Sequence, residues 1–188
     1  MLSNIEFFKS PSGEVLYRRQ GESVRSLTES DRELIGEMLS LIRVRYPEAF
    51  NALSDIYSRS EPNRMWFEYR MVSRFVRCNL SDYDTQDIDI DENGMLHFEQ
   101  MKCPLHGSGD CPWEGVVCKP KLDTGLSPRE MELVPLFAEG LQSQVIADRL
   151  HIAKFTVDNH RRNILAKLGK HSVTELAAWY YDHVKPQQ

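Results

Sequence analysis

Apolar residues at helical spacing predict three helices in the first half of the chain. Residues 28–46 form the first predicted helix, and Ser30 with Glu33 supplies a capping box at its start. Pro47 ends that helix and opens a shorter one that runs through Ile56. A third helix is predicted over 63–78, and its inward-facing stripe comprises Met65, Trp66, Tyr69, Val72, Phe75 and Val76.

Two stretches alternate apolar and polar residues around turn-forming sequences, which is typical of β-hairpins. The first is residues 5–18, where two short apolar runs flank Ser-Pro-Ser-Gly. The second is residues 88–98, with a turn at Asn93-Gly94. Its acidic residues also resemble the opening of a calcium loop, but the twelfth position is Gln100 instead of the glutamate that such loops use. The hairpin is therefore the favoured interpretation.

The C-terminal third has the most informative pattern. Residues 126–140 begin with an N-cap at Ser127, a proline at the next position and a capping-box partner at Glu130. A short helical segment follows, predicted to face inward through Val145, Ile146 and Leu150. A third segment, 151–170, places Val157, Ile164 and Leu168 on one face and ends at Gly169, where glycine favours a left-handed cap. A final helix starts with a capping box at Ser172 and Glu175. Such an order of helices indicates a helix-turn-helix.

The charge along the chain points to the same segment. The whole chain carries a net charge of −5, yet residues 149–170 hold six basic residues against Asp158 alone, a local balance of 6 − 1 = +5. A helix that buries an apolar face and carries cations elsewhere fits the DNA major groove. A solvated surface helix is the alternative, and the preceding helices favour the DNA-binding interpretation.

Residues 124–183 resemble the LuxR-type (NarL/FixJ-type) DNA-binding domain of bacterial transcription regulators. The resemblance rests on LSPRE, the AEGL turn, IADRL, TVDNH, NIL and AKLG at fixed spacing. It implies a four-helix domain whose recognition helix, residues 154–168, lies in the major groove of double-stranded DNA, and whose fourth helix often forms a dimer contact. The chain departs from the family at Asp158, where a basic or neutral residue is usual, and at Ala153, where a hydroxyl cap is usual.

The resemblance also implies roles for individual side chains. Asp158, Asn159 and Arg162 occupy base-facing positions, where arginine matches guanine, asparagine matches adenine and aspartate accepts from cytosine. Phosphate contacts are expected from Lys154, Thr156, Arg161 and Lys167. Phe155 either meets a thymine methyl group or packs onto the turn.

Cysteines concentrate just before this region. Cys103, Cys111 and Cys118 fall within sixteen residues, and Cys78 stands at the end of the third helix. In a reducing compartment such clustering indicates metal ligation more than disulfides, and four thiolates suit structural zinc. His106 is a reserve ligand. Free or redox-active thiols and an iron–sulfur cluster remain open as alternatives.

The fold class expected is mainly α: an α+β N-terminal domain of helices and short hairpins, followed by a four-helix helix-turn-helix domain. The expected boundaries are a regulatory or dimerisation domain at 1–120, a linker at 121–125 and a DNA-binding domain at 126–188. The first domain lacks the pattern of a phosphorylated receiver, so its signal is unassigned. We expect a cytoplasmic, non-enzymatic, homodimeric transcription regulator without a membrane partner. A protein-interaction module that keeps the fold without binding DNA is the alternative.

Overall fold

A computed structural model describes residues 2–81, 88–92, 94–99 and 101–184, and for His183 the backbone alone. The chain divides into two compact units, Met1–Lys121 and Leu122–Gln188. Within the described residues, the first unit combines a small sheet with three α-helices, and the second is built from four α-helices. The expected fold class, mainly α with an α+β N-terminal unit, is confirmed.

The first unit begins with an antiparallel sheet of three strands in the order β1-β2-β3. Strands β1 (Ile5–Lys9) and β2 (Val15–Arg19) form the hairpin that the sequence predicts. Its turn closes where the Gly13 N–H donates to the Ser10 carbonyl at 2.9 Å. A two-residue strand, β3 (Arg25–Ser26), adds to β2 and was not predicted.

In the expected hairpin at 88–98, isolated β-bridges take the place of two continuous strands. Ile90 bridges Leu96 on one side and Ile5 of β1 on the other, so this segment extends the edge of the sheet. The predicted turn includes Asn93, which lies outside the described residues. The Asp89 carboxylate accepts from the Phe7 N–H at 2.6 Å, and Asp91 accepts from the Met95 N–H at 2.9 Å. Both carboxylates of the alternative calcium loop thus bond backbone amides of the strand and the turn.

Three helices follow the sheet: α1 (Arg32–Arg45), α2 (Pro47–Tyr57), which leads into a 3-10 turn at Ser58–Ser60, and α3 (Arg64–Asn79). The three helices pack on one another, and α3 also packs on β2. The predicted capping box at Ser30 and Glu33 is wrong, because α1 starts two residues after Ser30, with Asp31 at the N-cap. Asp31 instead binds the preceding turn, accepting from the Thr28 N–H at 2.7 Å and the Tyr17 hydroxyl at 2.9 Å.

The inward face of α3 differs from the predicted stripe at its first turn. Met65 and Trp66 are 43% and 42% exposed, whereas Val72, Phe75 and Val76 are fully buried as expected. Met71, which the stripe omitted, is also buried. The first turn of α3 extends past the part of the helix that packs on the core, so helical spacing alone placed those two side chains inside.

The second unit consists of α4 (Pro128–Ala138), α5 (Ser143–Leu150), α6 (Lys154–Lys167) and α7 (Val173–His183). The capping box at the start of α4 is confirmed: the Ser127 hydroxyl accepts from the Glu130 N–H, and the Glu130 carboxylate accepts from the Ser127 N–H. The core is apolar and draws on all four helices: Leu133, Val134, Leu136, Phe137, Ile146, Ala147, Val157, Ile164 and Leu176. Val145, predicted to face inward, is 48% exposed.

No helix in the described ranges combines the length and the apolar character needed to cross a lipid bilayer.

Candidate nucleic-acid interface

Helix α6 rests on the core of the second unit by a narrow apolar face. Val157 and Ile164, two turns apart, are fully buried, and Leu165 and Leu168 pack at the border of the core. At its C-terminus Gly169 adopts φ +63°, the left-handed conformation that glycine permits at low cost. The remaining faces of α6 are therefore left for other contacts.

The turn before α6 is tight. His151 closes α5 in a left-handed conformation with φ +53°, and the Ile152 N–H returns to the Ala147 carbonyl at 3.0 Å. A histidine at such a position is uncommon, and nothing in the sequence pattern predicted it. The turn sets the direction in which α6 leaves α5, so it fixes the angle between the two helices of the motif.

An ion pair joins the end of α6 to the start of α4. The Lys167 ammonium lies 2.7 Å from the Glu130 carboxylate, which is almost completely buried. The hydrogen bond from Lys167, together with that from the Ser127 backbone, lowers the pKa of Glu130 to about 2. Lys167 was predicted to contact phosphate, and the structure shows a contact within the protein. The phosphate role of Lys167 stays a prediction.

The outward surface of α6 carries most of the predicted DNA-contacting side chains. Phe155 is 72% exposed, so the alternative in which it packs onto the turn is not what the fold shows. Lys154 is also exposed, and Arg161 is half-buried. Arg162 donates a hydrogen bond to the Asn159 side chain one turn earlier, on the exposed side of the helix. Thr156 is half-buried in the first turn.

Asp158 makes contacts on both helices of the motif. A hydrogen bond from the Ser143 hydroxyl, at the start of α5, lowers the pKa of Asp158, and the neighbouring cations lower it further. The Asp158 carboxylate lies 3.5 Å from the Lys154 ammonium and 3.7 Å from the Arg161 guanidinium. An acidic side chain near the start of α5 also interacts favourably with the positive end of that helix. The predicted hydrogen bond between Asp158 and a cytosine base stays a prediction.

Two residues that tie the motif together were missed at the sequence level. Ser143 was not singled out, although the hydroxyl at this place could have been matched to the acid fifteen residues later. Glu130 was read as a capping-box residue alone, and its pairing with Lys167 spans thirty-seven positions. Local spacing carries no information about such a long-range pair.

The predicted metal ligands all lie in the first unit and are free thiols. Cys118 is buried, Cys78 and Cys111 are half-buried, and Cys103 is exposed. Burial raises the pKa of both Cys78 and Cys118, and the charges of the other cysteines raise them further, as expected of thiols in one neighbourhood. Across the described ranges, no three Cys, His, Asp or Glu side chains are already arranged to hold a metal ion. Zinc therefore stays a prediction.

The reserve ligand His106 lies between a thiol and a carboxylate. Its Nδ1 is 3.9 Å from the Cys118 sulfur and 3.0 Å from Glu114 Oε1. The shorter of these contacts is to the carboxylate.

Comparison with known proteins adds independent information. A family model described as "Bacterial regulatory proteins, luxR family" matches residues 124–180. The chain is 36% identical over 149 residues to the Fimbriae Z protein of Salmonella typhimurium, which covers 72% of this chain and 69% of that protein. It is 35% identical over 89 residues to the uncharacterized response regulatory protein YgeK of Escherichia coli, covering 47% and 55%.

A shorter match, 41% identical over 54 residues, links the chain to the oxygen regulatory protein NreC of Staphylococcus aureus and covers 29% of this chain and 25% of that protein. The chain thus spans about half of YgeK and a quarter of NreC. No solved structure matches it.

Proposed function

The chain belongs to the luxR family of bacterial regulatory proteins, and we propose that it is a sequence-specific DNA-binding transcription regulator whose helix α6 enters the major groove. The relatives YgeK and NreC are named as regulatory proteins, which supports regulation over enzymatic catalysis. On this proposal the protein works where bacterial DNA is, in the cytoplasm.

One observation carries the proposal: α6 presents an exposed aromatic ring among exposed cations. Phe155 is 72% exposed, and the exposed Arg162, seven residues later, lies on the same face of the helix. Lys154 and Arg161 lie together along one edge of that face, where both contact Asp158. Water solvates a large apolar ring poorly, whereas thymine methyl groups offer apolar contact in the major groove. The surrounding cations match the phosphates on either side of the groove.

The side chains divide into two roles on this proposal. Asn159 and Arg162 read base edges, and the hydrogen bond between them is exposed and can be exchanged for bonds to adenine and guanine. Lys154, Thr156 and Arg161 bind phosphates and set the register of the helix without reading sequence.

A homodimer is the proposed state on DNA, because two half-sites about one helical turn apart double the phosphate contacts. With two to three cations from each α6, a dimer neutralises about four to six phosphates. The logarithm of affinity then falls with the logarithm of salt at a slope of about −4 to −5. Between 50 and 200 mM salt this slope corresponds to a loss of about 10²- to 10³-fold.

The salt dependence tests the proposal against a protein-interaction module that keeps the fold without binding DNA. The full chain is first used to select binding sites from random duplexes, and its affinity for the selected site is then measured across salt concentrations. A steep decline is expected. Failure to enrich any sequence, together with an affinity that does not vary with salt, would reject DNA binding.

Arg162→Ala tests the base-reading role. It is expected to relax preference at one base position and to cost about 1–3 kcal/mol of binding free energy on the selected site. Arg129→Ala is the matched control, because Arg129 lies on α4 and pairs with Glu132 at 2.5 Å. Equal losses on all sequences for Arg162→Ala would contradict base reading and assign Arg162 to phosphate contact.

A further inference from the structure

The buried side chain of Asn79 holds two cysteines of the first unit next to each other. Its amide nitrogen donates to the Val117 carbonyl at 2.8 Å, and its amide oxygen accepts from the Lys119 N–H at 2.8 Å. Val117 and Lys119 flank Cys118, and Asn79 directly follows Cys78. These two bonds therefore fix the chain at Cys118 beside the end of α3.

Glu114 connects the segments that carry the other two cysteines to Cys118. Its carboxylate accepts from the Gly107 N–H at 2.9 Å, which ties down the turn at 103–107. The Glu114 N–H donates to the Cys111 carbonyl at 3.3 Å, and Glu114 also bridges Cys118. Three segments that carry the four thiols are thus connected by hydrogen bonds.

The segment from 101 to 116 has little else to hold it. Every residue in it is exposed or half-buried, yet the chain follows defined turns, with Gly107, Gly109 and Gly115 in left-handed conformations. A stretch that buries so little apolar surface is normally held by disulfides or a metal ion. Cys103 and Cys111 lie in this segment and Cys118 follows two residues after its end, and thiolates are preferred ligands of structural zinc.

A positive side chain lies where a tetrathiolate site would need one. Arg74 lies one turn before Cys78 on α3. The Nε of Arg74 is buried without a hydrogen-bond partner in the part of the chain that the structure describes. Metal-bound thiolates accept hydrogen bonds from neighbouring donors, so a thiolate is the kind of acceptor this N–H requires.

We propose that Cys78, Cys103, Cys111 and Cys118 bind one structural Zn²⁺ ion that fastens the 101–116 segment to the end of α3. Four thiols lose four protons to solvent on binding Zn²⁺, and the site then carries a net charge of −2. The bonds of Asn79 hold Cys118 beside the end of α3, and Cys103 and Cys111 lie in the 101–116 segment, which is not part of the core. Four protein ligands close the metal to substrate, so its role is stability.

The test is elemental analysis of the full chain purified without chelators, followed by Zn²⁺ titration of chelated and reduced protein. About one zinc per chain is expected. Cys103→Ser is the most informative variant, because Cys103 is exposed and its replacement leaves packing unchanged. Zinc affinity is expected to fall by at least about 100-fold in this variant. His106→Ala is the matched control and retains the metal, because His106 pairs with Glu114.

Several results would overturn the proposal. One is protein that contains no zinc and binds none when Zn²⁺ is added under reducing conditions. A second is unchanged affinity in Cys103→Ser, or loss of zinc in His106→Ala, either of which would show that the ligand set is wrong. A third is the presence of iron together with acid-labile sulfide, which would show that the cysteines hold an iron–sulfur cluster and not zinc.

Discussion

The pairing of Glu130 with Lys167 makes the stability of the second unit depend on pH. The pKa of Glu130 is lowered from 4.5 to about 2, because the folded state favours the carboxylate through bonds from Lys167 and Ser127. A lowered folded-state pKa contributes stability above the unfolded pKa and loses it as the pH falls. A shift of this size corresponds to about 3 kcal/mol, and solvent access to Lys167 reduces it to about 2 kcal/mol.

Glu130→Gln should therefore lower the free energy of unfolding by about 2 kcal/mol at pH 7. The gap between wild type and variant should narrow as the pH falls from about 5 towards about 2, because the wild-type carboxyl becomes protonated there. Urea unfolding of the full chain, followed by Trp179 fluorescence with Trp66 and Trp113 replaced by Phe, reports on the second unit.

Glu132→Gln is the matched control on the same helix. Glu132 pairs with Arg129 at the surface, where both side chains are exposed, so its loss should cost less than about 0.5 kcal/mol. Equal destabilisation by Glu130→Gln and Glu132→Gln would refute the reasoning. So would a gap between wild type and Glu130→Gln that stays constant between pH 7 and pH 3.

Three further predictions concern single side chains. Phe155→Ala should change the free energy of unfolding by less than about 0.5 kcal/mol. Wild-type protein should bind the selected site less tightly when uracil replaces thymine, whereas Phe155→Ala should bind both forms of the site equally. Asp158→Asn removes a negative charge from α6, so affinity for all duplexes should rise; a change confined to one base position would instead assign Asp158 to reading cytosine. Asn79→Ala removes three bonds of a buried amide and should destabilise the first unit by about 2–4 kcal/mol, with Asn51→Ala on exposed α2 surface as a near-neutral control.

Short-range patterns in the sequence were sufficient for most of the fold. The capping box at Ser127, the left-handed glycine at Gly169 and the first hairpin each depend on residues a few positions apart, and each was correctly predicted. The order of helices in the second unit and its family also followed from such patterns. In these places local geometry and the final fold agree.

The errors arose where tertiary contacts decide. In a short helix such as α5, apolar spacing does not decide which of two neighbouring apolar residues faces the core. In the folded unit Ile146 is buried and Val145 is exposed. At the start of α1, the Asp31 carboxylate accepts hydrogen bonds from Thr28 and Tyr17, and the helix begins after Asp31. The capping box predicted for Ser30 therefore does not form. Lys167 pairs with the carboxylate of Glu130, which is far from it in the sequence, so local sequence patterns do not indicate this contact. The contacts of side chains in the candidate interface therefore could not be predicted from the sequence alone.

The shallow seating of α6 has a consequence for how such proteins diversify. Two side chains, Val157 and Ile164, supply the fully buried anchorage of the helix, while Phe155, Asn159 and Arg162 take no part in it. Replacing exposed residues seldom changes folding free energy by more than about 0.5 kcal/mol. If α6 reads DNA as proposed, substitutions at its outer positions would redirect it to new operators and leave the fold that carries it unchanged.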